Sequence, residues 1–70
     1  MKLLVNGEPR DLAVETVAAL FRAEAEEIGI ESSQGVAIAL NGRVLRRRDW
    51  DETPVTEGDR VEIVRAMQGG

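Results

Sequence analysis

The chain has 70 residues, a formal net charge of −4, and neither cysteine nor histidine. A domain of this length buries only about 60% of its unfolded surface, so the core is thin and a walled catalytic cleft is hard to build. Composition excludes thiol nucleophiles, serine–histidine pairs, disulfides and zinc–thiolate sites, and the negative balance argues against nucleic acid as a partner.

No apolar run reaches the ~20 residues of a membrane span, and the first residues lack a signal-peptide pattern, so a cytoplasmic protein is expected. With one Phe, one Trp and no Tyr, the core must come from Val, Leu, Ile and Ala.

Met1 to Val5 alternates as a strand, Leu3 and Val5 on one face, Lys2 and Leu4 on the other. Asn6-Gly7 predicts a two-residue hairpin turn, because both its central positions need positive φ. Pro9 cannot donate to a ladder and belongs at the start of the returning strand or on an edge. Asp11 to Val14 is expected to be that strand, with Leu12 and Val14 inward. Thr16 reads as a helix N-cap. Val17, Leu20, Phe21, Ala25 and Ile28 recur on one helical face, with Arg22, Glu24, Glu26 and Glu27 opposite. Gly29 ends the helix in the left-handed conformation. Ile30 to Gly35 is a polar loop, and Ser32 and Ser33 read as plain connectors.

Val36 to Leu40 is the next strand, with Val36, Ile38 and Leu40 on one side and Ala37 and Ala39 on the other. Asn41-Gly42 predicts a second hairpin, with Val44 and Leu45 in a short strand beyond it. Thr56-Glu57-Gly58-Asp59 is a turn signal before the last strand, Val61 to Val64. Two hairpins flanking one helix, each layer with one apolar face, make a two-layer α+β sandwich. The first and last strands are expected side by side at its centre. Residues 1–65 form the domain, and 66–70 are expected to be a flexible tail.

Several patterns invite a functional reading. Arg46, Arg47 and Arg48, with Arg43, make a basic patch, but no glycines, interleaved aromatics or helix N-terminus accompany it, so a solvated face or a partner contact is expected. The carboxylates Glu24, Glu26, Glu27, Asp49, Asp51 and Glu52 have no cleft to shift their pKa values and read as solubilising. No phosphate-binding glycine loop is present. Trp50 is expected to close the core, its indole N–H on a backbone carbonyl.

That leaves the end of the chain, Ala66-Met67-Gln68-Gly69-Gly70. Without a Cβ, Gly69 and Gly70 can thread a narrow channel in extended conformations, and five residues reach at most ~16–18 Å. Met67, Gln68 and Gly69 are the expected insertion segment, and the Gly70 carboxylate the expected reactive group. A carboxylate is ionised at neutral pH and is a poor electrophile, so it needs activation, for example as an acyl-adenylate. This chain has no group for that step, and a partner must supply the ATP site.

At this point the residues resemble a known family. The strand–helix–strand order, Ala39-Leu40-Asn41, the Arg47 and Trp50 pair, Gly58-Asp59 before the last strand and the terminal Gly69-Gly70 look like the sulfur carriers of thiamine biosynthesis, the ThiS family. The resemblance spans the chain and is densest from Ala37 to Gly70. Arg46 stands where relatives often have proline.

The resemblance implies a ubiquitin-like β-grasp fold, a mixed sheet of four to five strands on one α-helix. It implies that a ubiquitin-activating-like adenylyltransferase of the ThiF type uses Mg-ATP to adenylate Gly70. Sulfur from a cysteine desulfurase or rhodanese-type persulfide then leaves a C-terminal thiocarboxylate (1-thioglycine), which thiazole synthase of the ThiG type consumes. The protein itself binds no cofactor or metal in this scheme; it is a carrier rather than an enzyme, and a monomer when free.

A docking surface is expected on the sheet face away from the helix, where Leu4, Ala37, Ala39 and Val64 lie. Three other readings stay open: the small subunit of molybdopterin synthase, a carrier for tRNA thiolation or lysine modification, and a plain interaction domain. The first usually carries an aromatic–proline stretch where this sequence has Ile63-Val64-Arg65-Ala66-Met67.

Overall fold

Two Asn-Gly turns organise the sheet in the computed structural model, which describes residues 1–30 and 34–65. Asn6 and Gly7 take φ of 51° and 82°, and Asn41 and Gly42 take 52° and 85°. Asparagine tolerates this left-handed region and glycine adopts it freely. The first turn joins β1 (Lys2–Val5) to β2 (Glu8–Asp11), and the second joins β3 (Val36–Leu40) to β4 (Arg43–Leu45). Helix α1 (Val17–Ile28) lies between the hairpins in sequence, and β5 (Arg60–Arg65) is the last described element.

The strands lie in the order β2-β1-β5-β3-β4. β1 and β5 run parallel, with Leu4 level with Arg60; the other neighbours are antiparallel. A parallel pair needs a long crossover, which the helix and second hairpin supply. β5 is thereby held in the sheet centre.

Each end of the helix is closed by local chemistry. The Thr16 hydroxyl accepts from the Ala19 amide at 3.2 Å, as an N-cap should. Val17 and Ala18 donate to the carbonyls of Thr53 and Trp50. At the other end Gly29 has φ 80° and returns its N–H to Ala25. Between helix and sheet, Val17, Leu20, Ile38 and Val61 are fully buried, each contributing about 1.5–3 kcal/mol. Trp50 closes the layer, 5.3 Å from the Phe21 ring.

Four expectations change. The second strand is Glu8–Asp11, not Asp11 to Val14. A two-residue turn obliges pairing to restart at once, with Glu8 opposite Val5, and Pro9 is tolerated because β2 is an edge. Leu12 and Val14 still pack on the core. Glu24 is not on the solvent side: it is 5% exposed, with Arg10 Nη2 at 3.1 Å from its Oε2. Its spacing from Leu20 and Val17 places it on the apolar stripe, and Arg10 on the edge strand meets its charge. Ile28 is half exposed, while Ile30, just past the left-handed glycine, packs on the core instead.

The indole N–H of Trp50 is buried but finds no acceptor among the described residues, because the ring is oriented by Phe21 and by Arg47, whose guanidinium carbon lies 5.5 Å from its centroid. Finally, Ser32 and Ser33 and the whole segment 66–70, with Met67, Gln68, Gly69 and Gly70, lie outside the described residues.

Candidate functional site: the outer sheet face and the root of the tail

β5 leads directly to residue 66. Its last described residue, Arg65, pairs with Val36 at the start of β3, so residues 66–70 follow in sequence from the central strand. Inward-facing Val61 and Ile63 anchor that strand in the core. Asn6 Oδ1 accepts the Ile63 amide at 2.8 Å, and Asn41 Oδ1 accepts the Arg60 amide at 2.9 Å. Both hairpins therefore grip the strand that bears the tail.

The outer face follows from the period of two. On β3 it presents Ala37 and Ala39, opposite Val64 and Glu62 of β5. Val64 is 58% exposed, Leu4 38%; Ala37 is exposed and Ala39 half-buried. The structure brings Ala37, Ala39 and Val64 together. Leu4 stands on the far side of β5, level with Arg60. Sequence reasoning missed Val44, which lies opposite Ala39 and is 74% exposed. Its signal was available: a two-residue turn at Asn41-Gly42 dictates that register. The face is thus apolar around two small residues, with Glu62 in its midst.

The remaining candidates lie elsewhere. Arg47 to Asp49 form a short 3-10 turn, and Arg46 and Arg48 are exposed. With Ala18, Phe21, Arg22, Trp50 and Asp51, Arg47 lines a hollow of about 230 Å³ beside the helix start. Among the described residues no cluster of acidic side chains is built to hold a metal, and no helix is long and apolar enough to cross a membrane.

One carboxyl is tuned. Burial pushes Asp59 up, but the Asn41 side chain and the Thr56 amide and hydroxyl outweigh it and hold the group below its ordinary value. The Asn41 amide reaches Asp59 Oδ1 at 3.1 Å, and the Thr56 amide reaches Oδ2 at 2.8 Å. This network belongs to the turn ahead of β5 and fixes where that strand begins.

A family model described as the ThiS family matches residues 3–70. The chain belongs to the ThiS family. Its function is therefore that of a sulfur carrier in thiamine biosynthesis, not of a catalyst. It is 39% identical over 66 residues to the sulfur carrier protein ThiS of Thermus thermophilus, covering 94% of this chain and 95% of that one.

A thiazole synthase of Paramagnetospirillum magneticum is 35% identical over 71 aligned positions, covering all of this chain but 20% of that protein. The ThiS fold is seen directly in a crystal structure of the Geobacter metallireducens thiamine biosynthesis protein ThiS, at 37% identity and a TM-score of 0.77, with both chains fully covered. A solution structure of a thiamine biosynthesis protein from the same organism gives 0.75 at 37% identity, covering all of this chain and 88% of that one. The ubiquitin-like β-grasp architecture expected of the family, with its mixed sheet on one helix, is the architecture found.

Proposed function

We propose that the sulfur travels on the carboxylate of Gly70. The observation that carries this reading is the central strand, held by both hairpins and described as far as Arg65, five residues before Gly70, together with a family match that runs to residue 70. With no thiol in the protein, a backbone carbonyl carbon is the chemically reasonable carrier atom.

A ThiF-type adenylyltransferase binds the outer sheet face and draws in Met67, Gln68, Gly69 and Gly70. A Gly70 carboxylate oxygen attacks the α-phosphorus of Mg-ATP and pyrophosphate leaves. The acyl carbon, now carrying a good leaving group, accepts sulfur from a persulfide delivered by a desulfurase or rhodanese-type donor, and AMP departs. Thiol reduction of any remaining sulfur–sulfur bond frees the thiocarboxylate. Mg-ATP belongs to the partner throughout, and the cytoplasm is where this reading places the protein.

A ThiG-type thiazole synthase takes the sulfur in the next step. The match to one fifth of a protein named thiazole synthase supports that pairing, because a unit of this type carried within the synthase is the covalent form of such a contact. Leu4, Ala37, Ala39 and Val64, joined by Val44, form the docking face, whose exposed apolar area is otherwise unexplained.

The test is intact mass after incubation with Mg-ATP, an activating enzyme and a persulfide source. The expected gain equals one oxygen exchanged for one sulfur, located on Gly70. Sulfur found on a side chain, or no gain, overturns the reading.

A further inference from the structure

The two Asn-Gly turns carry latent chemistry that sulfur carriage does not use. Asparagine followed by glycine is prone to cyclise, because glycine has no side chain to shield its backbone nitrogen. That nitrogen attacks the asparagine Cγ and loses its proton to solvent. The Cγ–Nδ2 bond breaks, ammonia leaves and a cyclic imide forms. Water then opens either imide carbonyl, giving aspartate or isoaspartate. Water is the only co-reactant.

We propose that Asn41-Gly42 is a latent modification site of this kind, held closed by the native clamp and released when the β3–β4 hairpin opens. Four observations converge on it. The bond is exposed, and the space a Cβ would occupy at Gly42 is empty, so solvent reaches it. In the folded protein the Asn41 side chain is held at both ends: its Oδ1 accepts the Arg60 amide at 2.9 Å, and its amide donates to Asp59 Oδ1 at 3.1 Å. Those bonds keep the amide carbon turned toward β5 rather than free to meet the Gly42 nitrogen.

The hairpin is also the weaker of the two. β4 is a three-residue edge strand paired only with β3, with Val44 largely exposed. The β1–β2 hairpin has four residues per strand, a Leu12 amide to Met1 carbonyl bond of 2.9 Å, and the α-ammonium of Met1 on Asp11 at 3.2 Å. Segments with few buried contacts open first.

The consequence is also unequal. Aspartate at position 41 loses the donor to Asp59 and sets a second carboxylate against it, where like charges repel. Isoaspartate adds a backbone atom to a two-residue turn and shifts Val44 out of register with Ala39. Aspartate at position 6 keeps the oxygen that receives Ile63. Conversion at Asn41 therefore loosens the start of β5 irreversibly, while conversion to aspartate at Asn6 is tolerated.

Peptide mapping of aged samples at mildly alkaline pH reads both sites in one molecule. In denaturant Asn41 and Asn6 should convert at similar rates. In the folded protein, Asn41 should slow by at least about tenfold, the factor that ~1.4 kcal/mol of local opening imposes. Asp59→Ala should raise the Asn41 rate in the folded protein and leave Asn6 unchanged. Equal rates at Asn41 in folded and denatured protein overturn the proposal, as does an Asp59→Ala variant with an unaltered rate. If Asp59→Ala merely unfolds, both sites accelerate together as in denaturant, and the folded-to-denatured rate ratio at Asn41 in the parent protein decides the matter. Independently, Asn41→Asp should lower the unfolding midpoint more than Asn6→Asp; the reverse order contradicts the assignment.

Discussion

Asn6 and Ile63 are 57 residues apart in sequence, yet the Asn6 side-chain oxygen receives the Ile63 amide at 2.8 Å. The same asparagine supplies the positive φ of its turn. Two demands thus meet in one residue: a left-handed backbone and a short side chain ending in an acceptor. Asn6→Gly separates them, keeping the turn and losing the acceptor. Leaving a part-buried donor unpaired costs about 1–3 kcal/mol. Asn6→Gly should lose that much in denaturant unfolding, and Asn6→Asp much less. Equal stability of Asn6→Gly and the parent protein would show that the bond to Ile63 contributes nothing.

Asp59 gives the fold a pH dependence at the acid end. Its folded-state pKa lies below the 3.8 of the free group. The unfolded state therefore binds the proton more readily, and protonation favours unfolding. The stabilisation is fully present above 3.8 and disappears as pH falls through the lower, folded-state value. Asp59→Asn should flatten that part of the stability profile and leave the rest unaltered. The comparison to make is of urea midpoints for both proteins across the acid range.

Glu24 and Arg10 supply a contrast between breaking an ion pair and replacing it. Arg10→Ala strands a buried carboxylate and should destabilise by about 1–3 kcal/mol, the penalty for an unpaired buried polar group. Glu24→Met fills the same space on the apolar stripe without a charge, and the Arg10 it leaves is part exposed and keeps Glu27 at 3.6 Å, so no charge is stranded in the core. Thermal unfolding should rank Glu24→Met well above Arg10→Ala. The opposite ranking would mean the pair itself contributes net stability.

Much of this architecture is legible in the residues because it rests on local physics. Positive φ at Asn-Gly, the Thr16 cap and the Gly29 terminus depend on neighbours in sequence, and all four strand–turn–strand junction residues fall where those rules put them. What escaped depends on distant partners. Glu24 looks like solvent-facing charge until Arg10 is brought across from β2. Ile28 loses its place because Ile30 takes it. The grip of Asn6 and Asn41 on β5 has no local signature, since their role in the turns already accounts for them. The outer face was readable by alternation, and Val44 was missed only because register was not carried through the second turn.

Ala39 is the position at which to probe docking without disturbing the fold. It lies half-buried on the outer face, between Glu62 on β5 and Val44 on β4. A carboxylate there would face Glu62, and like charges directly across strands are destabilising. A lysine faces an opposite charge instead. Ala39→Lys should therefore unfold at a midpoint close to the parent's, while its affinity for an activating enzyme drops. Undiminished affinity, measured by titration calorimetry, would move the docking surface off this face.

Removing Gly70 distinguishes a carrier from a binding module. The core and all five strands lie within residues 2–65, so the truncated protein should keep its circular dichroism and unfolding midpoint. What changes is the acyl donor. The new terminus, Gly69, is also a glycine with an ionised carboxylate, so its intrinsic reactivity toward ATP is the same. Only its reach differs, shortened by one residue or about 3.3–3.6 Å. In a partner's site the attacking oxygen must meet the α-phosphorus within a few tenths of an ångström, and a misplacement of ~1 Å can already cost about a hundredfold. The truncated protein should bind its partner nearly as well as the parent and gain no sulfur. Mass spectrometry reads the second outcome and calorimetry the first. Sulfur on Gly69 at the parent's rate would show that the tail's length does not place the reacting atom.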